Sequence, residues 1–537
     1  MKKKVIYAAT AALMFAAGSA FAQSTVNSAS TTQAGTTNSA TIDQAGGVGN
    51  AASVAQVLNS NSATIIQNGG ESNSADASQS GDFNSAAITQ DMGVANSSSI
   101  SQDGTSNSAE SYQMGGSMTS SVISQDGTTN SAYVEQSEGT ENSSDVSQDG
   151  DANIATVYQT LGMYNDADID QDGTANDAYI DQQGGESNDA DIDQDGDLNI
   201  ATIFQAGGID NDADIDQDGT ENDAYVEQTG GEDNDADIDQ DGDLNVATAI
   251  QTGGMDNDAD IDQDGSSNDA VTYQFEGEDN DADIDQDGVG NMGYVDQLAG
   301  EDNDADIEQD GDGNYASILQ DGGWENDADV YQHGDGNEAL VGQIGGGDND
   351  AYVHQDGDAH FAYVDQVGGE DNTATVNQDG VANAAGVYQQ DGMDNVADIA
   401  QNGDLNGAYV EQIGGLANSA VVSQVGLGNG AAVYQYGGDN NTASVSQDGL
   451  GNGAMVVQDM ASANDATVTQ TGWFNSASVA QTGLLNSASV TQSGVLNGAS
   501  VMQSGDNNTA TVTQTGFGNS APVMQSGSGN VSVVNQH

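Results

Sequence analysis

The chain has no cysteine, a single proline and almost no basic residues. Without cysteine it can form no disulfide, even in an oxidising compartment, and it has no thiol nucleophile. Its three Lys and Arg residues are Lys2, Lys3 and Lys4, whereas Asp and Glu number 86 and the formal net charge is −83. Nucleic acid and anionic membranes are therefore excluded as electrostatic partners, because both require cationic contacts.

The start of the chain, positions 1–22, predicts a secretory signal peptide. Three lysines form a basic n-region, residues 5–17 are apolar, and Ala20-Phe21-Ala22 is a small-x-small cleavage site. The apolar run is too short to span a bilayer, and no later stretch is apolar enough to do so. We therefore expect a mature chain of residues 23–537 that leaves the cytoplasm and has no transmembrane segment.

One pattern, Asn-x-Ala-x-(Val/Ile)-x-Gln, repeats from Asn27 to Gln536. The Asn positions alternate at spacings of 11 and 12, which together make one repeat unit, and beyond Asn464 the spacing is a uniform 11. All 45 Gln positions hold Gln, whereas Thr119 and His360 replace Asn. High charge with low hydrophobicity ordinarily predicts disorder, but a repeat this strict indicates a folded repeat architecture.

The fixed residues of each repeat lie at every second position, which is the period of a β-strand. Asn, Ala, Val/Ile and Gln therefore share one face of the strand. Links of four or five residues containing glycine separate the strands and suit tight reversals. One strand cannot bury its face alone, whereas two facing strands in stacked units can. We predict an all-β fold, a two-sided β-solenoid of about 22 rungs with 23 residues per rung, each a strand-turn-strand unit in in-register parallel stacking.

The inward Asn and Gln side chains are expected to stack in columns. Each amide can donate to the next rung and accept from the previous one, which stabilises cross-β structures. The columns also fix the register, because a slip of one residue would turn Gln outward. The expected inward residues on four consecutive strands are Asn165, Gln171, Asn176, Gln182, Asn188, Gln194, Asn199 and Gln205.

The phrase Gln-x-Gly-x-x-Asn-x-Ala-x-x-x-Gln, as in residues 171–182, resembles the curlin repeat. The resemblance covers essentially all of residues 23–537, which we interpret as one curlin-like β-solenoid repeat domain. It implies a secreted subunit of the Gram-negative type, exported through the periplasm, that self-associates into curli, the functional amyloid fibres of biofilms. It further implies a nucleator subunit and an outer-membrane secretion pore as partners, and a role in surface adhesion and aggregation.

The strands that begin at Asn27 and recur once in every repeat unit, here called A strands, are most acidic in the central block 165–309. The sequence Asn-Asp-Ala-Asp-Ile-Asp-Gln-Asp-Gly occurs there six times, and stacking would place like carboxylates about 4.8 Å apart. At that distance, repulsion is on the order of 1 kcal/mol per pair in water.

The acidic block raises the question of a bound ion. No cofactor is expected to be required by the protein as a whole. For the acidic block, however, we predict that Ca²⁺, another cation or acid is needed for the stacked carboxylates to pack closely. A solvated acidic face that binds ions loosely is the alternative. The candidate Ca²⁺ ligands are Asp166, Asp168, Asp170, Asp189, Asp191, Asp193, Asp212, Asp214 and Asp216.

The alternate series, here called B strands, begins at Asn38 and is less charged. Its outward aromatic and aliphatic residues are candidates for lateral contact between solenoids, because contiguous exposed apolar patches usually mark partners. A tolerated bias towards residues of high β-propensity is the alternative. The candidate contact residues are Tyr158, Phe204, Tyr225, Ile250 and Tyr273. The 11-residue repeats of residues 464–537 are also less charged, which favours polymerisation.

No catalytic constellation is evident. His333, His354, His360 and His537 do not recur at equivalent repeat positions, and the thin solenoid interior offers no pocket that could enclose a triad. We predict a structural extracellular fibre subunit rather than an enzyme. The alternatives are a monomeric acidic β-solenoid that acts as an adhesin or calcium-dependent cell-surface protein, and an ice-binding solenoid, against which the Asp-rich A strands argue.

Overall fold

The computed structural model describes residues 19–22 and 26–537, which form 46 β-strands. Successive strands alternate between two sheets. The chain divides into two compact units: unit 1 ends at Asp243, and unit 2 comprises Leu244–His537. Within the described residues, no helix is long and apolar enough to cross a membrane. The all-β prediction is confirmed.

In unit 1 the even-numbered strands are the A strands, and the odd-numbered strands after β1 are the B strands. The odd strands are β1 Ser19–Ala22, β3 Ser39–Ala45, β5 Ser62–Asn68, β7 Ser85–Asp91, β9 Ser108–Met114, β11 Ser131–Ser137, β13 Ile154–Thr160, β15 Asp177–Gln183, β17 Ile200–Ala206 and β19 Asp223–Thr229. The even strands are β2 Ser28–Ala34, β4 Ala51–Val57, β6 Ser74–Asp82, β8 Ser97–Thr105, β10 Ser120–Thr128, β12 Ser143–Asp151, β14 Asp168–Thr174, β16 Asp191–Asp197, β18 Asp212–Thr220 and β20 Asp235–Asp243.

Unit 2 continues the same alternation. Its odd strands are β21 Val246–Thr252, β23 Asp269–Glu278, β25 Met292–Glu301, β27 Tyr315–Asp321, β29 Glu338–Ile344, β31 Phe361–Val367, β33 Ala384–Gln390, β35 Gly407–Ile413, β37 Gly430–Tyr436, β39 Gly453–Ser462, β41 Ser476–Leu484, β43 Gly498–Ser504 and β45 Ser520–Ser526. Its even strands are β22 Asp258–Ser266, β24 Asp281–Val289, β26 Asp304–Asp312, β28 Asp327–His333, β30 Asp350–Asp358, β32 Thr373–Val381, β34 Val396–Asp404, β36 Ser419–Leu427, β38 Thr442–Leu450, β40 Asp465–Trp473, β42 Ser487–Val495, β44 Thr509–Phe517 and β46 Val531–Gln536.

Within each unit, strands pair in parallel with the strand two further along the chain. In β14 and β16, Gln171 pairs with Gln194, its equivalent in the next repeat unit. In β40 and β42, Asp465 pairs with Ser487, an offset shorter by one that follows the shorter repeats of the sequence. Two strands make one turn, so β2–β46 correspond to about 22 turns of a parallel β-solenoid. The predicted rung and its in-register stacking are confirmed.

The core is thin because small residues of one sheet face large residues of the other. Ser111 occupies a Val/Ile position of β9, and its hydroxyl contacts those of Ser98 and Ser121, at 2.9 and 3.1 Å, in Ala positions of β8 and β10. In unit 2, a Cβ added at Gly293 would lie 2.8 Å from Cγ2 of Ile284. Ala positions therefore admit only small residues, and each buried Val or Ile contributes roughly 1.5–3 kcal/mol to stability.

The links between strands also stack, and one glycine position shows how closely. Gly173 has a φ of +123°, and a Cβ added there would lie 1.9 Å from the carbonyl oxygen of Gly196 in the next turn. The link then ends in a left-handed residue before the next Asn, as at Ala175 with a φ of 61°. The glycine is required by close approach of two main chains as well as by its conformation.

Most of the predicted signal peptide, and residues 23–25 after it, lie outside the described residues. Ser19–Ala22 form β1, which pairs in parallel with residues 41–44 of β3. Cleavage after Ala22 stays a prediction. It would remove β1 and leave that edge of β3 open.

Replacement of Gly173 by alanine should weaken its turn more than replacement of Gly184. Both glycines have positive φ, at +123° and +77°, but a Cβ at Gly184 would meet nothing within 4 Å. Each substitution should cost about 1–2 kcal/mol for the left-handed conformation, and only Gly173→Ala adds a main-chain clash. Hydrogen exchange of peptides spanning residues 165–200 measures the local loss. Equal loss of protection in the two variants would contradict the close stacking of the links.

Candidate functional site and assembly surfaces

The inward glutamines form hydrogen-bonded columns along each sheet. Gln171 is fully buried, and its Nε2 donates to Oε1 of Gln194 at 2.8 Å. Its own Oε1 accepts from Nε2 of Gln148 at 2.8 Å. Nε2 also donates to the carbonyl oxygen of Ile154 in the opposite sheet at 3.0 Å. Each amide therefore joins one turn to the next and one sheet to the other.

The other three glutamines singled out in the sequence have the same arrangement. The Nε2 groups of Gln182, Gln194 and Gln205 each donate to Oε1 of the equivalent glutamine in the next turn at 2.8 Å. All these bonds point towards higher residue numbers, so the column is polar. Successive hydrogen bonds aligned in this way polarise one another in a low-dielectric interior.

The asparagines are buried but arranged differently from the glutamines. Nδ2 of Asn165 donates to the carbonyl oxygen of Gly184 at 2.8 Å, and its Oδ1 accepts from the main-chain N–H of Asn188 at 3.1 Å. Nδ2 of Asn176 likewise donates to the carbonyl oxygen of Gly196, at 3.0 Å, and its Oδ1 accepts from the main-chain N–H of Asn199 at 3.0 Å. The expected amide-to-amide contact is replaced here by contacts to main chain.

The difference between the two amides follows from side-chain length and position. Asn is one methylene shorter than Gln and stands beside the link, so it reaches the link of the next turn. In unit 2 some asparagines add a direct side-chain contact, as between Nδ2 of Asn280 and Oδ1 of Asn257 at 3.2 Å. Asn thus forms hydrogen bonds between the start of a strand and the main chain of the next turn, whereas Gln forms the continuous side-chain column.

His360 shows which atoms this Asn position requires. It is 1% exposed, and its Nδ1 accepts from the main-chain N–H of Asn383 at 3.2 Å. Its Nε2 lies 3.2 Å from the carbonyl oxygen of Asp356, to which it must donate. The imidazole therefore replaces both Asn atoms only in its neutral Nε2–H form, and burial lowers the pKa of His360.

Nine aspartates singled out in the sequence lie in three columns on the outer face of the A strands in unit 1. Asp168, Asp191 and Asp214 align in one column, as their in-register pairing requires. A second column runs beside it, and the two border a groove of about 410 Å³. The members of the second column are Asp170, Asp193 and Asp216. The third column stands at the strand starts and comprises Asp166, Asp189 and Asp212.

Several of the aligned carboxylates have a raised pKa and hold their protons more tightly than free aspartate. Burial, followed by neighbouring carboxylates, raises the pKa of Asp168 and of Asp193 to about 6. The same causes raise the pKa of Asp214 to about 7. In unit 2, they raise the pKa of Asp283 to about 7. Loss of hydration contributes more to these raised pKa values than repulsion does. The reason is that side chains of the preceding and following strands flank each carboxylate.

Columns along a sheet do not converge on one point. Among residues 19–22 and 26–537, no group of three or more His, Cys, Asp or Glu side chains is arranged to hold a metal ion. What the face offers is a linear array of anionic oxygens.

The five B-strand residues singled out for lateral contact are half-buried on the outer face of the odd strands. Tyr158 stands between Tyr133 and Tyr179, with ring centroids 5.5 and 5.9 Å away. The others are Phe204 and Tyr225 in unit 1, and Ile250 and Tyr273, which pair in register, in unit 2. The hydroxyl of Tyr225 donates to Glu227 at 2.7 Å, so carboxylates interrupt this apolar surface.

The stability of the protein should rise as the pH falls from about 8 to about 5 at low ionic strength. Folding raises the pKa of Asp168, Asp193 and Asp214 from 3.8 to about 6 or 7, so the folded state binds more protons than the unfolded chain in this window. The stability contributed by these protonated aspartates is fully present below the unfolded pKa of 3.8. It is lost as the pH rises through the folded pKa values of about 6 or 7. Melting curves at the two pH values measure the effect.

A matched variant tests the assignment to these columns. Simultaneous Asp168→Asn, Asp191→Asn and Asp214→Asn substitution should reduce the pH dependence, because it removes one column without changing side-chain size. Acid destabilisation of the unsubstituted protein over the same range would contradict the interpretation. Protonation of His360 acts in the opposite direction, at one position only.

Comparison with known proteins now identifies the repeat. The family model described as Curlin associated repeat matches the chain 17 times, within residues 70–104, 122–357, 369–426 and 438–537. Comparison with curated proteins gave no match. The matched segments cover more than half of the chain and coincide with the stacked turns of both units. The chain belongs to the curlin-associated repeat family.

Proposed function

We propose that this protein is a structural subunit of an extracellular amyloid-like fibre of the curli type, which contributes to adhesion and aggregation in a biofilm matrix. Membership of the curlin-associated repeat family supports a structural role based on self-assembly. A nucleator subunit and an outer-membrane secretion pore are the partners that this role would require.

The single observation that carries the proposal is the polarity of the glutamine columns. Each Gln donates to its equivalent in the following turn, so a column ends with an acceptor on one side and a donor on the other. At the first turns, Oε1 of Gln44 is buried and has no hydrogen-bond partner among the described residues. Ala22 of β1 pairs with Gln44. Once the predicted cleavage has removed β1, a turn added there from another copy would continue the column with the same geometry.

Gln44 starts the glutamine column of the odd strands, and the last strand of unit 2 ends the corresponding column of the even strands. Gln536 and Val534 occupy inward positions of β46 but are only partly buried, whereas Gln514 and Val512 in β44 are fully buried. The last turn therefore presents an uncovered core and an open strand edge. Open edges with unpaired main-chain groups are templates for pairing with another chain.

The mature chain should form fibres that give a reflection at about 4.8 Å along the fibre axis and bind thioflavin. Gln536→Leu should slow elongation, because it removes a column contact at the open end. Asn535→Leu, an exposed neighbour on the same strand, is the matched control. Thioflavin kinetics and electron microscopy measure the difference. A protein that is folded but stays monomeric under all conditions would overturn the proposal and favour the monomeric cell-surface alternative.

We further propose that cations, Ca²⁺ among them, shield the aspartate columns in the extracellular medium. The support is the alignment of Asp168, Asp191 and Asp214 beside the column that contains Asp193. A Ca²⁺ ion binds carboxylate oxygens at roughly 2.3–2.6 Å and can bridge two turns.

At a pH of about 8 and low ionic strength, Ca²⁺ should raise the melting temperature more than NaCl of equal ionic strength. Bridging of two carboxylates by one ion is the reason for the difference. The variant in which asparagine replaces Asp168, Asp191 and Asp214 should respond less to Ca²⁺. Coincident melting curves with and without Ca²⁺ would refute shielding by this ion.

A further inference from the structure

A row of large apolar side chains lies along one edge of unit 2, at the links that follow the last A strands. Leu427, Leu450, Trp473, Val495 and Phe517 end successive even strands and pair with one another in register. Adjacent members are therefore about 4.8 Å apart along the stack. Trp473 is 57% exposed and Phe517 is 75% exposed.

A second row stands directly beside the first. Phe474 and Leu496 are 51% and 52% exposed. Both are left-handed, with φ of 54° and 58°. The ring of Phe474 lies across the main chain of Gly451, where an added Cβ would be 2.7 Å from ring atom Cε1. A large side chain in this conformation costs about 1–2 kcal/mol, yet it is left half in solvent.

The fold itself does not require apolar residues at these positions. Elsewhere in unit 2 the same end-of-strand position holds Asp312 and Asp358, and in unit 1 it holds Thr105 and Thr174. The position before Asn holds Ser106 or Ala175 in some turns and an exposed Leu198 or Leu244 in others, so the first row distinguishes the last turns more than the second row does. Polar and small residues thus satisfy the link, so the apolar residues of the last turns call for another explanation.

The charge distribution indicates which partner could pack against these two apolar rows. Of the 86 acidic residues, only Asp459, Asp465 and Asp506 follow residue 450. Copies of a chain with a formal net charge of −83 repel one another along most of their length. These last turns are the part of the sequence where a second copy meets little like charge.

We propose that this edge, defined by Leu450, Trp473, Phe474, Val495, Leu496 and Phe517, packs laterally against a second copy of this chain. The second copy has the same spacing between turns, so side chains of one edge fit between those of the other over several turns. The inference rests on the proposed function, because copies joined end to end in a fibre present many such edges, and lateral contacts between two fibres then act together. The outer face of the B strands is a poorer contact surface, since carboxylates such as Glu227 lie among its tyrosines.

The fluorescence of Trp473 can be used to detect this contact. It contains two tryptophans, so Trp324→Phe leaves Trp473 alone within the proposed interface. In the mature protein with that substitution, Trp473 emission should shift to the blue as the protein concentration rises, in parallel with sedimentation of a larger species. Phe517→Thr with Leu496→Ser should weaken the association about tenfold or more, because aromatic anchors dominate such contacts.

The matched control is Val289→Thr, which changes an exposed residue at the same link position outside the edge. It should leave the association unchanged. Equal association of the control and the Phe517→Thr, Leu496→Ser protein would overturn the inference. A blue shift that appears only on addition of neutral phosphatidylcholine vesicles would also overturn it, since the edge would then bind lipid rather than a second copy.

The same samples separate this inference from the proposed function. Electron microscopy and thioflavin report fibres, whereas fibre width and Trp473 emission report lateral contact. Single, unbundled fibres in the Phe517→Thr, Leu496→Ser protein and bundles in the control would support lateral packing. Association of the control without any fibres would remove the proposed function and leave the lateral contact standing. Bundles of equal width in both proteins would overturn the lateral contact alone.

Discussion

The structure depends on one directional interaction, the hydrogen bond between glutamine side chains of successive turns. A buried amide without a partner costs about 1–3 kcal/mol, so each glutamine stabilises the fold only while its neighbours are in register. Gln171 satisfies this condition through contacts with the turn before, the turn after and the opposite sheet. A polar core of this kind therefore specifies the register more strictly than a purely apolar one.

The same register also determines which side chains become neighbours on the outer faces of the two sheets. Because inward residues stack on their equivalents, outward residues must do so too, and a repeated Asp becomes a column of carboxylates. Asp168, Asp191 and Asp214 are close because Gln171, Gln194 and Gln217 are aligned. The raised pKa values of this face are thus a consequence of core geometry. Ionised columns oppose the cohesion of the core, and protons or cations relieve that opposition.

An assembly made of such turns needs different surfaces for different contacts. Polar columns with open ends favour addition along the stacking direction, and acidic faces disfavour contact between the sides of two copies. The last turns of unit 2 carry few acidic residues and expose Trp473 and Phe517. In the proposed fibre, this separation of charged and apolar turns along one sequence favours growth along the stacking direction and limits lateral contact to the apolar edge.

Much of the local detail was beyond the reach of the repeat pattern. Asn and Gln are both amides at inward positions, so the repeat pattern predicts the same amide-to-amide column for each. Only the placement of Asn165 beside the link directs its side chain to the main chain of Gly184. The apolar edge was missed because its residues occupy variable link positions, where no period reveals which side chains become neighbours. Its signals in the sequence are the scarcity of acidic residues after residue 450 and the recurrence of Leu, Trp, Val and Phe three residues after Gln.

The sequence by itself determined the strand period, the length of one turn, the inward residues and the parallel stacking, because a strict spacing leaves no other way to bury Gln, Ala and Val/Ile together. The tertiary structure alone decided how Ala positions face Val/Ile positions, as Ser98, Ser111 and Ser121 show. It also decided that burial more than repulsion raises the pKa of the aspartates. Both depend on distances between the two sheets and between turns, which a one-dimensional pattern does not contain.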